Sequence, residues 1–217
     1  MIFGYFFANC LGLLFGYYTL NLALIASNDS YKILNKNKKM YVLKNILKST
    51  CLGYLAIFKC HFYYDMIYNN WNNDAVYKFS TIYIVNDFLG LLLNQKLPRN
   101  TKHHHLASIL LYTFLTNIDF TQKSPLRLIF TYGTVSCVPF LVNFYLGVRH
   151  IIDKKKVDII KKMSYYIYGF SCSLNLVLHI YLIILNEYYL NPICYIYIMF
   201  LIPIINDDII LISWLKD

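Results

Sequence analysis

Residues 164–185 read SYYIYGFSCSLNLVLHIYLIIL, 22 consecutive positions without Asp, Glu, Lys or Arg. A helix of that length extends roughly 33 Å at 1.5 Å per residue, enough to cross the ~30 Å hydrocarbon core of a bilayer. A segment in lipid must satisfy its backbone hydrogen bonds internally, so a helix is the expected form. The same signature recurs outward in both directions. Ile193–Trp214 follows it, and Leu128–Leu146, Leu106–Ile118, Val76–Leu93, Ile46–Tyr64 and Ile2–Ala26 precede it. Leu106–Ile118 is too short to cross alone and must take in flanking residues. The runs are continuous rather than alternating, which argues against a large β-barrel.

Composition agrees with this reading. Of the 217 residues, 58% are hydrophobic and 14% charged, whereas a soluble domain needs about 25% charged residues to cover its surface. The chain therefore reads as an all-α membrane protein of about seven transmembrane helices, with no length left for a soluble domain. Ile2–Ala26 has no basic segment before it and no small-x-small cleavage site after it, so it reads as a signal anchor. Residues 1–40 are then an N-terminal anchor helix and basic loop, and residues 41–217 a six-helix membrane domain.

The formal charge of +9 is confined to short links, which argues against a nucleic-acid partner. Sixteen of the 20 basic residues fall in alternate links and the tail. They are Lys32, Lys36, Lys38, Lys39, Lys44 and Lys48 after the first run, and Lys96, Arg99 and Lys102 after the third. Arg149, Lys154, Lys155, Lys156, Lys161 and Lys162 follow the fifth, and Lys216 ends the set. The opposite links hold Asp65, Asp74 and Glu187, with Lys123 and Arg127 as the exceptions. The positive-inside rule then predicts a luminal N-terminus and a cytosolic C-terminus. Cys10, Cys51, Cys60, Cys137, Cys172 and Cys194 form no CxxC pair and read as small buried hydrophobes.

Ionisable groups inside a span are costly and mark cavities or partnered sites. Asp87 follows Asn86 in the third run, and Asp207 and Asp208 follow Asn206 in the seventh, four residues beyond Pro203, which should kink that helix. Asp87, Asp208 and Asn143 each lie six residues from the basic end of their run, hence ~9 Å below that boundary. A shared, water-accessible cavity lined by Asn86, Asn143, Asp207 and Asp208 is expected. His103, His104 and His105 stand where the fourth run begins. Successive helical side chains diverge by ~100°, so three in a row cannot converge on one metal ion, and none is expected. Histidine at such a mouth suits acid–base chemistry.

The stretch YIVNDFLGLLL (83–93), a short basic loop and HHLASIL (104–110) resemble the core of the TLC-domain family, in which a tyrosine four residues before an aspartate opens one span and a histidine pair opens the next. Asn45 and Ser49, and the phrase PFLVN (139–143), are also similar to that family's pattern. The resemblance covers roughly residues 41–215. It implies a six-helix bundle around a cavity, in endoplasmic reticulum or related membranes, that handles lipids, with a membrane lipid or acyl chain as partner and no cofactor. Ceramide synthases carry HDxxD about thirty residues after the histidine pair; here residues 106–147 contain no histidine and Asp119 as the one acid. The resemblance thus favours a branch other than the synthases, one that binds lipid and influences membrane composition. The alternatives are an acyl-CoA-dependent N-acyltransferase, with His104 or His105 as base or acyl acceptor and Asp87 orienting the imidazole, and a small proton-coupled transporter, for which His179 and the buried acids would serve as a relay.

Overall fold

The computed structural model describes residues 2–93 and 97–217, Ile2 by its backbone alone. Lys96, counted above among the link cations, lies outside the described residues. The described chain is helical throughout: α1 (Ile2–Ser27), α2 (Asp29–Lys32), α3 (Lys36–Phe58), α4 (His61–Ile67), α5 (Asn73–Leu93), α6 (Arg99–Leu115), α7 (Arg127–Val135), α8 (Phe140–Val148), α9 (Lys154–Leu185) and α10 (Pro192–Lys216), with a 3-10 turn at Tyr188–Leu190. Short polar links start these helices. Asn35 accepts from the Lys38 N–H, Asp153 from Lys155 and Asn191 from Ile193, each filling a donor that a helix N-terminus leaves open. Pro192, at the first position of α10, has no N–H to leave open there.

Four of these helices, α1, α5, α9 and α10, are each long and apolar enough to cross a membrane. The pair α7 and α8 makes a fifth candidate with a 48° bend. That bend falls where Leu128–Leu146 reads as one run. Pro139 has no N–H for the ladder and disfavours helical backbone at Val138, so the helix stops and restarts. Of the remaining runs, α3 opens with five lysines in 13 residues, and α6 has 17 residues, about 25 Å of rise. The run Ile46–Tyr64 is also split, with Lys59 and Cys60 leaving the helix between α3 and α4.

Successive helices run back and forth, so the basic links gather at one end. Asn28 Nδ2 donates to the Ile151 carbonyl (2.9 Å) and ties the link after α1 to the link after α8. The opposite end is closed by the turn 116–126. Asp119 accepts from Asn73 (2.9 Å) and Thr121, and these bonds hold its carboxyl below its ordinary value, at about 2. Arg127 donates twice to the Phe120 carbonyl and once to Asn69 Oδ1 (2.7 Å), and stacks on Trp71. Beneath them Phe62, Phe79 and Phe130 meet edge-to-face at 5.1–5.3 Å, a favoured aromatic geometry.

Apolar side chains also cover the outside of the bundle. Tyr166, Phe170, Val177, Tyr181 and Ile184 on α9, and Phe3, Phe7, Leu11 and Phe15 on α1, are exposed, as lipid-facing surfaces require. The opposite face of α1 is engaged: Phe6 meets Phe88 at 5.2 Å and Tyr112 at 6.2 Å. All six cysteines are thiols; Cys10, Cys137 and Cys194 are buried, Cys51 and Cys172 half-buried. Cys60 is exposed because it sits at the break between α3 and α4, which corrects the expectation that all six pack as buried hydrophobes.

Helices α3 and α8 pack closely, and Gly147 permits it. A Cβ there would lie 2.7 Å from Ile46 Cγ1 and 3.0 Å from the Ile46 backbone nitrogen. Small residues allow such contacts between membrane helices. Gly147→Ala should therefore destabilise the protein by about 1–3 kcal/mol through overpacking. Gly133→Ala in α7 meets no atom within 4 Å and should stabilise it by up to ~1 kcal/mol through helix propensity. Thermal unfolding in detergent tests the pair, and equal shifts for both would refute the close α3–α8 contact.

Candidate functional site

The two lysines of the α3 entry, Lys44 and Lys48, are four residues apart and so share one helix face. That face turns inward toward Asp87, whose side chain has 0% exposure. Lys48 Nζ forms a short ion pair with Asp87 Oδ1. His105 Nδ1 approaches the same oxygen at 3.1 Å, within ion-pair reach but off a hydrogen bond's line. Lys44 is buried and places Nζ 3.2 Å from His105 Nε2. An ammonium has only donors, so Nε2 is the accepting nitrogen and the ring's proton sits on Nδ1, toward Asp87. Asp87 Oδ2 has no hydrogen-bond partner among the described residues.

Lys44 reaches the histidine by lying across Gly90. A Cβ at position 90 would stand 2.6 Å from Lys44 Cε and 2.7 Å from Nζ. The glycine at the end of YIVNDFLG (83–90) thus leaves room for a lysine to cross it.

A second acidic centre faces this one. Asp208 on α10 accepts from Tyr132 on α7 and from Tyr168 on α9, both at 2.6 Å. Its neighbour Asp207 lies 3.2 Å from His104 Nδ1 and accepts from Thr101 at 3.4 Å. The adjacent histidines diverge, as helical neighbours must, and each takes a different aspartate. His103, a turn position nearer solvent, is exposed.

Between the two centres lies a cavity of about 200 Å³, lined by Lys44, Lys48, His104, His105, Asp207, Asp208, Asn143 and the rings of Tyr83, Tyr132 and Tyr168. Its wall reaches Leu97 and Pro98, in the link at the basic end. Tyr83 and Tyr132 also line a second, apolar cavity of about 50 Å³ together with Phe79, Ile84, Leu111 and Ile204. A polar chamber and an apolar slot therefore share a wall.

Of the residues singled out by sequence, Asp87, His104, His105, Asn143, Asp207 and Asp208 come together around this chamber. Asn86 does not line it: the side chain is buried, donating to the Ile82 carbonyl at 3.1 Å. The sequence puts Asp87 six residues inside its run and His105 just before the start of the next; α6 begins at Arg99, seven residues before Leu106, and so brings the histidine to the level of the carboxylate. Lys44 and Lys48 stood in the sequence as link cations, and Tyr132 and Tyr168 as ordinary span residues; the i, i+4 spacing of the lysines was the one signal for them. His179 is buried elsewhere, Nδ1 2.7 Å from the Asn175 carbonyl and Nε2 2.7 Å from the Tyr197 hydroxyl, a neutral and satisfied ring.

Ligand atoms of Asp87, His104 and His105 do lie within 4.8 Å of one another, close enough to bind one metal ion. Two of those residues already carry ammonium groups, Lys48 on Asp87 and Lys44 on His105. A divalent cation would sit against both at a few ångströms, where like charges repel strongly in a poorly hydrated interior. The donor set therefore suits protons and ammonium groups better than a metal ion.

The chain matches no family model, no curated protein and no solved structure.

Removing one partner of a buried ion pair leaves an uncompensated charge, at a cost of about 3–5 kcal/mol. Lys48→Met should lose that much in detergent unfolding, and adding Asp87→Asn should recover a large part. A double variant as unstable as the two single losses added together would show that the pair is not coupled.

Proposed function

We propose that this chain is a multi-pass membrane protein of TLC-domain type that binds a membrane lipid or acyl chain and through it influences membrane lipid composition. The observation that carries the proposal is the shared wall between the charged chamber and the apolar slot. An ion or a sugar needs only the first; an amphiphile uses both, its head satisfied by lysine, aspartate and tyrosine and its chain by Phe79, Leu111 and Ile204. In this reading all seven apolar runs cross the bilayer. The short α6 and the lysine-rich α3 do so as inner members of the bundle, where neighbouring helices replace lipid as solvent. The alternation of basic links supports a luminal N-terminus and a cytosolic C-terminus. The chamber then opens near the cytosolic leaflet, and the endoplasmic reticulum or a related membrane is the compartment.

The Asp87–His105 arrangement favours a second reading, an acyl-CoA-dependent N-acyltransferase. A carboxylate orienting an imidazole is the usual support of a general base. The missing HDxxD weighs against it, and Asp207 and Asp208 are the acids available in its place.

Two measurements test the proposal. On a cysteine-free background, Asn70→Cys in sealed vesicles should label from the luminal side and Lys155→Cys from the cytosolic side; the reverse would overturn the orientation. Mass spectrometry of the detergent-purified protein should find a co-purified acyl lipid. Its recovery should fall about tenfold in Asn143→Phe, given the ~1–3 kcal/mol penalty of filling the chamber. An acyl group covalently attached to His104 or His105 selects the acyltransferase, and the absence of any acyl chain sinks both readings.

A further inference from the structure

Three groups run in a row from the chamber wall inward that its lipid-binding role does not require. Lys44 Nζ lies 3.2 Å from His105 Nε2, and His105 Nδ1 lies 3.1 Å from the Asp87 carboxylate. A nucleophilic atom within hydrogen-bond reach of a base, with the base oriented by a third group, is the general signature of an activated nucleophile. The amine here is held rather than free. Its stem lies across Gly90, and Lys44 lines the cavity wall. Lys48, four residues on, has its ammonium committed to Asp87 and no contact with either histidine ring at ion-pair or hydrogen-bond distance among the described residues.

We propose that Lys44 is a reactive amine that takes the carbonyl carbon of a long-chain aldehyde and holds it as a Schiff base. The inference rests on the amphiphile reading of the same chamber and adds to it a covalent step. The ammonium of Lys44 gives one proton to His105 Nε2, and the resulting imidazolium is balanced by Asp87. The free electron pair on Nζ attacks the aldehyde carbon, a C–N bond forms as the C=O π bond breaks, and a second proton passes from Nζ to the former carbonyl oxygen, which becomes a hydroxyl. The imidazolium returns its proton to that hydroxyl as it leaves as water, and the C=N bond forms. An ammonium and an aldehyde thereby become a protonated imine and water, with no change in net charge.

That conservation of charge is why an aldehyde fits better than an acyl thioester. Acylation would turn Lys44 into a neutral amide and remove a cation from a chamber lined by Asp207 and Asp208, with Asp87 buried behind His105 and Lys48. Buried carboxylates left without a counter-charge are expensive, whereas the iminium keeps the cation in place. The chain of the aldehyde would run past Tyr83 and Tyr132 toward the apolar slot they share with the chamber.

The test uses the full-length purified protein, hexadecanal and sodium cyanoborohydride, which reduces an imine to a stable secondary amine read by peptide mass spectrometry. Lys44 should be labelled at least about tenfold faster than Lys48 and the link lysines Lys38 and Lys155. His105→Gln should slow Lys44 labelling by about a hundredfold, the ordinary contribution of a positioned base. Gly90→Ala, whose new methyl group displaces the flexible end of Lys44, should slow it several-fold while the unfolding midpoint stays near that of the unmodified chain. Lys44→Arg keeps the charge and should abolish that adduct without altering labelling elsewhere. Lys44 labelled no faster than Lys38 and Lys155, or equally fast in His105→Gln and Gly90→Ala, overturns the inference. If acyl lipid still co-purifies in that case, the amphiphile reading stands and only the covalent step falls; if neither is seen, both fall.

Discussion

A carboxylate with no exposed surface, in a helix with lipid-facing neighbours, must be neutralised where it stands, and Asp87 imposes that condition on three helices. Its partners have to arrive from outside α5. Lys48 comes from α3 and His105 from α6, and Lys44 then covers the far nitrogen of the histidine. Each partner fixes its own helix in rotation and in depth. The lysines require α3 to turn one face inward over at least one full turn, and the histidine requires α6 to begin early enough to reach the level of Asp87. The same requirement explains why α3 is poor in apolar residues at its start. Its cations serve the interior as well as the membrane surface.

The rest of the bundle brings a second acidic centre opposite the first. The bend at Pro139 lets α7 and α8 follow different directions, so that Tyr132 on one side of the break reaches Asp208 while Asn143 on the other side reaches the chamber. Gly147 lets α8 approach α3, and a Cβ at Gly53 would meet the ring of Phe140 at 3.3 Å, so the restarted helix stays in contact with the lysine-bearing one. Ser49 donates to the Phe140 carbonyl at 2.9 Å, and Ser171 of α9 donates at 3.0 Å to the Val135 carbonyl, four residues before Pro139, which has no N–H to fill it. The irregular backbone is thus satisfied by side chains of neighbouring helices, the usual condition for such a break inside a membrane.

How much of this could be read in the sequence follows from which signals are local. Hydrophobic runs such as 164–185 depend on composition alone, and their helices appear where those runs lie. The acids Asp87, Asp207 and Asp208 stood out because a charge in an apolar run is improbable without a partner. The partners did not stand out. Lys44 and Lys48 look the same in sequence as Lys36 and Lys38, and only the position of α5 makes two of the four inward-facing. Tyr132 and Tyr168 are two of 22 tyrosines, and a tyrosine in a span is unremarkable until an aspartate lies at its hydroxyl. Asn86 erred the other way, since a polar residue beside Asp87 points to a different side of α5 by 100° and donates its amide to the preceding turn. The breaks at Lys59–Cys60 and at Ser136–Pro139 were equally hidden, because hydropathy averages over them.

The two centres differ in what they offer a bound molecule. Around Asp87 the carboxylate is surrounded by nitrogen donors carrying positive charge, and its second oxygen has no hydrogen-bond partner among the described residues. Around Asp208 the partners are two phenols, one at each oxygen. One side of the chamber therefore presents lysine and histidine nitrogens and the other carboxyl oxygens held by tyrosines. A head group carrying both an electrophilic or anionic part and a donor part would orient itself between them. Its chain would then extend along the tyrosine wall, because that wall alone leads to an apolar space. Orientation of this kind needs no movement of the helices, only the placement of lysines on α3 and aspartates on α10 across one small cavity.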